Sequence, residues 1–195
     1  MLGLVAVAGC GGGESQDENE PDGEFTVQVV NASFPERQRL AERSTLAITV
    51  RNAGRETIPN VAVTVDGLNY EESVVMGTPD EPRQRFAING EPVSIGGFPD
   101  AREAAPRGCD TAYVGTWACG PLRRGAVREF RWSVTAVVPG AFRVAYRVDA
   151  GLHGNATAVT ASGEPARGAF VGTVSGAAPQ SRIAENGETV VTEPR

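Results

Sequence analysis

Three cysteines and one histidine are the residues with the widest chemical range in this 195-residue chain. Cys109 and Cys119 are separated by nine residues, and Cys10 stands by itself near the start. Two thiols at that spacing can oxidise to a disulfide or form half of a tetrahedral metal site. The metal reading lacks further ligands, because His153 sits far along the chain in a glycine-rich turn. No metal is therefore expected. A Cys109–Cys119 disulfide would close a short loop in which Gly115 and small polar residues turn the chain. On the chain-entropy argument it would contribute about 3 kcal/mol. The sequence holds no serine nucleophile elbow, no glycine-rich phosphate loop and no recognisable pair of catalytic carboxylates. Glu71-Glu72 reads as a solvated pair. Hydrolase and transferase chemistry thus lack their parts. The expectation is a protein that is not an enzyme and uses no cofactor.

Cys10 has different surroundings. Residues 2–9 read Leu-Gly-Leu-Val-Ala-Val-Ala-Gly, a short apolar run that ends in small residues. A membrane-spanning helix needs about 20 residues, so this run has the character of the end of a signal h-region. Val7-Ala8-Gly9-Cys10 resembles the bacterial lipobox, whose cysteine accepts a diacylglyceryl group. Met1 is followed at once by Leu2 with no positive n-region, so the true start is expected upstream. Gly11-Gly12-Gly13 and an acidic stretch follow, and neither can bury apolar surface. Residues 10–24 therefore read as a disordered tether with a coil reach of roughly 20 Å. A mature bacterial lipoprotein carries two or three acyl chains, which anchor it stably. Lipidating Cys10 leaves Cys109 and Cys119 as a pair, and a pair outside the cytoplasm is most simply a disulfide. The expected location is the outer side of the cell membrane.

Of the 24 acidic residues, six lie in the first 24 residues with no base among them: Glu14, Asp17, Glu18, Glu20, Asp22 and Glu24. The other 18 balance 18 bases. A basic face for nucleic acid is therefore not indicated. Every base is an arginine, which reads as the trace of a GC-rich genome.

From Phe25 onward the apolar period is two. Phe25, Val27 and Val29 form one such run, Leu46, Ile48 and Val50 a second, and Val61, Val63 and Val65 a third. Phe130, Trp132, Val134 and Ala136 alternate with Glu129, Arg131, Ser133 and Thr135. Pro139-Gly140 then turns the chain into Phe142, Val144, Tyr146 and Val148. That predicts an antiparallel hairpin over 130–148 with one wet face. Further strands are expected at 156–162 and 168–174, with a small terminal hairpin around Asn186-Gly187. Residues 36–43 have room for one helical turn. The fold class is all-β, an immunoglobulin-like antiparallel sandwich over 25–195. Residues 67–120, rich in proline, glycine and charge, form a long insertion with weak alternation at Phe86–Ile88 and Val93–Ile95.

Two stretches resemble the CARDB-like branch of immunoglobulin-like bacterial surface domains. One is Leu46-Ala-Ile-Thr-Val-Arg-Asn-Ala-Gly54 with Ile58-Pro-Asn-Val-Ala-Val-Thr-Val65. The other runs from Leu122-Arg-Arg-Gly125 through the Phe130 strand and Gly140 to Asp149. Asp110-Thr-Ala-Tyr113 and Thr116-Trp-Ala-Cys-Gly-Pro-Leu122 look like surface lipoproteins of GC-rich actinobacteria. The resemblance implies an immunoglobulin-like sandwich, and its adhesion role is set aside because the 67–120 insertion departs from the compact pattern.

Taken together, the residues suggest a lipid-anchored, non-enzymatic binding module facing an envelope protein or a glycan. A structural spacer is the alternative. Tyr113 and Trp117 are the candidate contacts, since rigid aromatics on a loop make good anchors. Trp117 equally suits a plug at the end of the core. Exposure of the two rings would mark a binding loop, and burial would mark a spacer.

Overall fold

A computed structural model gives the fold of residues 20–69, 85–89, 106–176, 181–183 and 190–192. Cys10, residues 10–19 of the expected tether, Val93–Ile95 and the Asn186-Gly187 turn lie outside these described residues. Two six-stranded sheets face one another. Sheet I has the order β11-β1-β3-β9-β6-β5, with β1 Gly23–Ser33, β3 Arg43–Asn52, β5 Leu68–Asn69, β6 Phe86–Ile88, β9 Val127–Ala136 and β11 Ala156–Val159. Sheet II has the order β2-β12-β10-β4-β8-β7, with β2 Arg37–Arg39, β4 Ala62–Asp66, β7 Asp110–Tyr113, β8 Thr116–Ala118, β10 Gly140–Asp149 and β12 Arg167–Ser175. A separate hairpin pairs β13 Ser181–Ile183 with β14 Val190–Thr192. The fold is an all-β sandwich.

The alternation places side chains as expected. Leu46, Ile48, Val50, Val63, Val65, Phe130, Trp132, Val134, Val144 and Val148 are all buried between the sheets. At one end of the seam, the ring of Phe34 packs edge-on against Phe86, Phe142 and Phe170. Strand β12 makes room for such rings with glycines. A Cβ at Gly168 would lie 2.5 Å from the Tyr146 hydroxyl, and one at Gly172 would lie 2.6 Å from Phe142 and 2.1 Å from the Glu36 carbonyl.

The pairing differs from expectation in three places. First, residues 130–148 are not a hairpin. Strand β9 pairs with β3 and β6 in sheet I, whereas β10 pairs with β12 and β4 in sheet II. The Val137-Val138-Pro139 link crosses between the sheets, held as Val137 N donates to the Arg85 carbonyl and Arg85 donates to the Pro139 carbonyl. Alternation fixes the face a side chain occupies, and the free sheet edges fix its strand's partner. Second, 36–43 contains strand β2 instead of a helical turn. Gln38 points inward between Arg37 and Arg39, and the backbone finds partners on β12 in parallel register. Third, the fold begins before Phe25. Strand β1 starts at Gly23, and Glu20 is fastened to the loop after β10. Residues 20–24 therefore belong to the domain and not to the tether.

The expected insertion also has a defined use. Its strands β5 and β6 extend sheet I, and β7 and β8 extend sheet II.

Candidate functional site

Strands β7 and β8 form a hairpin joined by Val114-Gly115 at the outer edge of sheet II. Gly115 is in the left-handed region at φ 74°, and a Cβ there would meet the Val65 carbonyl at 3.1 Å. Its own carbonyl accepts from Val65 N at 2.8 Å, which pins the turn against β4. A β-carbon at this position would thus strain the turn twice over, by backbone conformation and by contact. Thr64 and Thr116 share a 2.9 Å hydroxyl hydrogen bond across β4 and β8. At the base, Cys119 N donates to the Val61 carbonyl and Gly120 N donates to Asn60 Oδ1, both at 2.9 Å.

Cys109 and Cys119 are joined in a disulfide with Cα atoms 4.0 Å apart. Both cysteines belong to the core cluster. The bridge therefore ties the open ends of the hairpin together at the point where β8 enters the sandwich.

The two candidate aromatics part company. Trp117 is 0% exposed, lies opposite Val63 on β4, and meets Trp132 edge-on at 5.1 Å. Trp132 in turn stacks on Phe130 at 6.2 Å. Trp117 is thereby a core residue, and the expectation that it could share a binding loop with Tyr113 is corrected. The reason is phase: on β8, Trp117 falls on the inward side while Thr116 faces out. Tyr113 is 51% exposed, and its neighbour Val114 is 89% exposed, more than any other large apolar side chain among the described residues. The sequence reading passed over Val114, although a valine beside a turn glycine on a disulfide-closed loop was the available signal.

The hairpin thus presents a phenol and an isopropyl group on a turn that is fixed at both ends. A tip fixed in this way has little conformational entropy left to lose on any contact. Among the described residues, no group of three or more His, Cys, Asp or Glu side chains could hold a metal.

Glu20 is a second position the sequence did not single out. Its Oε2 accepts from Leu152 N at 2.7 Å and His153 N at 2.9 Å, and its Oε1 accepts from Ala156 N at 2.7 Å. Burial pushes this carboxyl up, but the N–H groups of Ala156, His153, Leu152 and Asn155 outweigh that and hold it below the ordinary glutamate range. Within an acidic run it was indistinguishable from its solvated neighbours.

No family model matches the sequence, and no curated protein matches it. Solved structures do. The chain is similar to a CARDB domain from Pyrococcus furiosus in its solution structure, at 15% identity and a TM-score of 0.42, over 77% of this chain and 94% of that one. The crystal structure of the same domain gives 16% identity and a TM-score of 0.42 over 78% and 94%. The reeler domain of human F-spondin follows at 11% identity and 0.36, over 79% and 92%. The Leu46–Val65 and Leu122–Asp149 stretches resemble the same CARDB group.

Proposed function

We propose that this chain is a non-enzymatic binding module, held at the outer face of the cell membrane by lipid on Cys10, that engages an envelope partner through the β7–β8 tip. One observation carries the binding reading. Tyr113 and Val114 are exposed on an edge hairpin that a disulfide, a core tryptophan and two backbone anchors hold in one conformation. A spacer gains nothing from fixing an apolar tip so firmly, and exposed apolar groups at a rigid loop suit a protein contact. The buried Trp117 is the feature that a spacer would share. A Cys109–Cys119 bridge is in keeping with an oxidising compartment, and Val7-Ala8-Gly9-Cys10 supplies the anchor.

The test uses the full chain with its upstream signal restored. Wild-type protein should partition with membranes, incorporate labelled fatty acid, and co-isolate a defined envelope component. Cys10→Ser should abolish the label and the partitioning. Tyr113→Ala with Val114→Ser should abolish the co-isolated component while the melting temperature stays the same. Retention of that component by the tip variant would overturn the assignment of the site.

A further inference from the structure

The opposite edge of sheet II carries a different surface. Strand β2 lies parallel to β12 with Arg37 opposite Thr173, Gln38 opposite Val174 and Arg39 opposite Ser175. Gln38 is 3% exposed and Val174 1%, so both point inward. Arg37, Arg39, Thr173 and Ser175 therefore share the outer face, and together with Gln38 and Glu42 they line an open cavity of about 520 Å³ at this edge.

This edge is built to hold its place. Gln38 Nε2 donates to the Pro35 carbonyl at 3.0 Å, and Gln38 Oε1 accepts from Ser44 Oγ at 2.7 Å. Glu42 Oε2 accepts from Arg39 N at 2.8 Å. The intervening Ala41 sits at φ 63°, the one positive-φ residue other than glycine among the described residues. Strain of this kind persists only where its surroundings enforce it.

The face continues inward from the edge. Arg143 lies opposite Val171, and Arg147 lies opposite Arg167. Standard strand spacings put the Arg37 and Arg143 backbones roughly 12 Å apart, and those of Arg143 and Arg147 roughly 13 Å apart. Between them the outer side chains are small or apolar: Ala141, Ala145, Ala169 and the 59%-exposed Val171. Among the described residues, Arg37, Arg39, Arg143 and Arg167 have no ion-pair partner, whereas Arg147 pairs with Asp149 at 2.8 Å. Five arginines thus face three carboxylates, Glu42, Asp149 and the exposed Asp66 opposite Ala145 on β4, on a chain whose net charge is −6. Charged side chains on an edge strand can serve only to block edge-to-edge association. That explanation covers Arg37 and Arg39 but not Arg143 and Arg147, which lie two strands into the sheet.

We infer that the outer face of β2, β12 and β10 is a docking site for an extended acidic polysaccharide, of the kind whose sugar carboxylates recur along the chain. Guanidinium forks bind carboxylates through two parallel hydrogen bonds. The Thr173 and Ser175 hydroxyls can donate to or accept from sugar hydroxyls. The floor of small residues lets a chain lie flat. The strip has none of the aromatic platforms that unpaired nucleic-acid bases stack on. This goes beyond the reading of the β7–β8 tip and does not depend on it.

The probe is a polygalacturonate oligomer, titrated at low ionic strength into the full chain carrying Cys10→Ser, with thermal melts run on every variant. Saturable binding that weakens with added salt is expected, and Arg37→Ala with Arg39→Ala should weaken it about tenfold. Arg37→Lys with Arg39→Lys, which keeps the charge but loses the fork, should fall between the two. Arg51→Ala, on the outer face of sheet I, should bind as wild type. Neutral dextran should not bind, and polyglutamate and single-stranded DNA should bind far more weakly than the oligomer. An absence of saturable binding would overturn the proposal. Equal binding of polyglutamate or DNA would do so too, as would binding untouched by the Arg37/Arg39 variant at an unchanged melting temperature.

Discussion

Sheet II ends in two edges that are held in opposite ways. At the β7–β8 edge a covalent bridge closes the hairpin and Trp117 is sunk into the core, while the turn offers Tyr113 and Val114 to solvent. At the β2 edge nothing is covalent. Three residues lie parallel to β12, fixed by the buried Gln38 amide and by close approach over Gly172, and the exposed groups are guanidinia. An apolar tip gains little from solvent and needs a rigid base to stay out of the core. A charged edge is solvated wherever it goes, and needs only its backbone register. The two edges therefore differ in what breaks them.

The largest effect is expected at the bridge. Because β8 pairs with β4 and carries Trp117, the disulfide fastens a core element and not only a loop. Cys109→Ala with Cys119→Ala should cost the whole domain about 3 kcal/mol by denaturant titration. A loss confined to faster hydrogen exchange at 109–119, with global stability intact, would show that the hairpin is an appendage.

The second effect belongs to the β2 edge. Gln38→Ala removes the amide and leaves both its partners, the Ser44 hydroxyl and the Pro35 carbonyl, to find others. A loss of about 2 kcal/mol is expected, with exchange accelerated at 36–42 while the β7–β8 hairpin stays protected. Equal loosening of both edges would erase the distinction between them.

The smallest effect tests neither edge of sheet II but the link between the sheets, where Glu20 fastens the start of the chain to the loop between β10 and β11. Its carboxyl is held below the ordinary glutamate value in the fold, so its stabilisation is present above the unfolded value and is lost as pH falls through the folded one. Glu20→Gln should cost about 1 kcal/mol near neutrality, after allowance for solvent screening. The difference from wild type should vanish in acid. A difference that persists unchanged at low pH would show that the ionised carboxylate is not what holds the loop.

Face assignments were legible in the sequence wherever alternation was long. Strands β3, β4, β9 and β10 bury the residues their period of two selects, because that period is a local property of the pleat. Pairing was not legible. The Phe130–Val148 hairpin failed because a turn such as Pro139-Gly140 can return a strand to its own sheet or pass it to the facing one. Arg37-Gln-Arg39 has too few residues for a period to show, and its pairing partner lies more than 130 residues away. The arginine face was hidden for a related reason. A neutral balance of charge beyond residue 25 says nothing about which side chains share one side of a sheet. Half of the tip was readable: a disulfide loop with two aromatics pointed to the region, and only the phase of β8 decided that Trp117 turns inward.

The proposed function stands on a partner meeting the β7–β8 tip. Its most direct test is a photo-crosslinking side chain placed at position 114 of the lipid-anchored chain in intact cells, with position 127 on sheet I as a control. A single discrete adduct from position 114, absent from position 127 and lost when Tyr113→Ala is added, is the expected result. No adduct from position 114, or the same adducts from both positions, would contradict it.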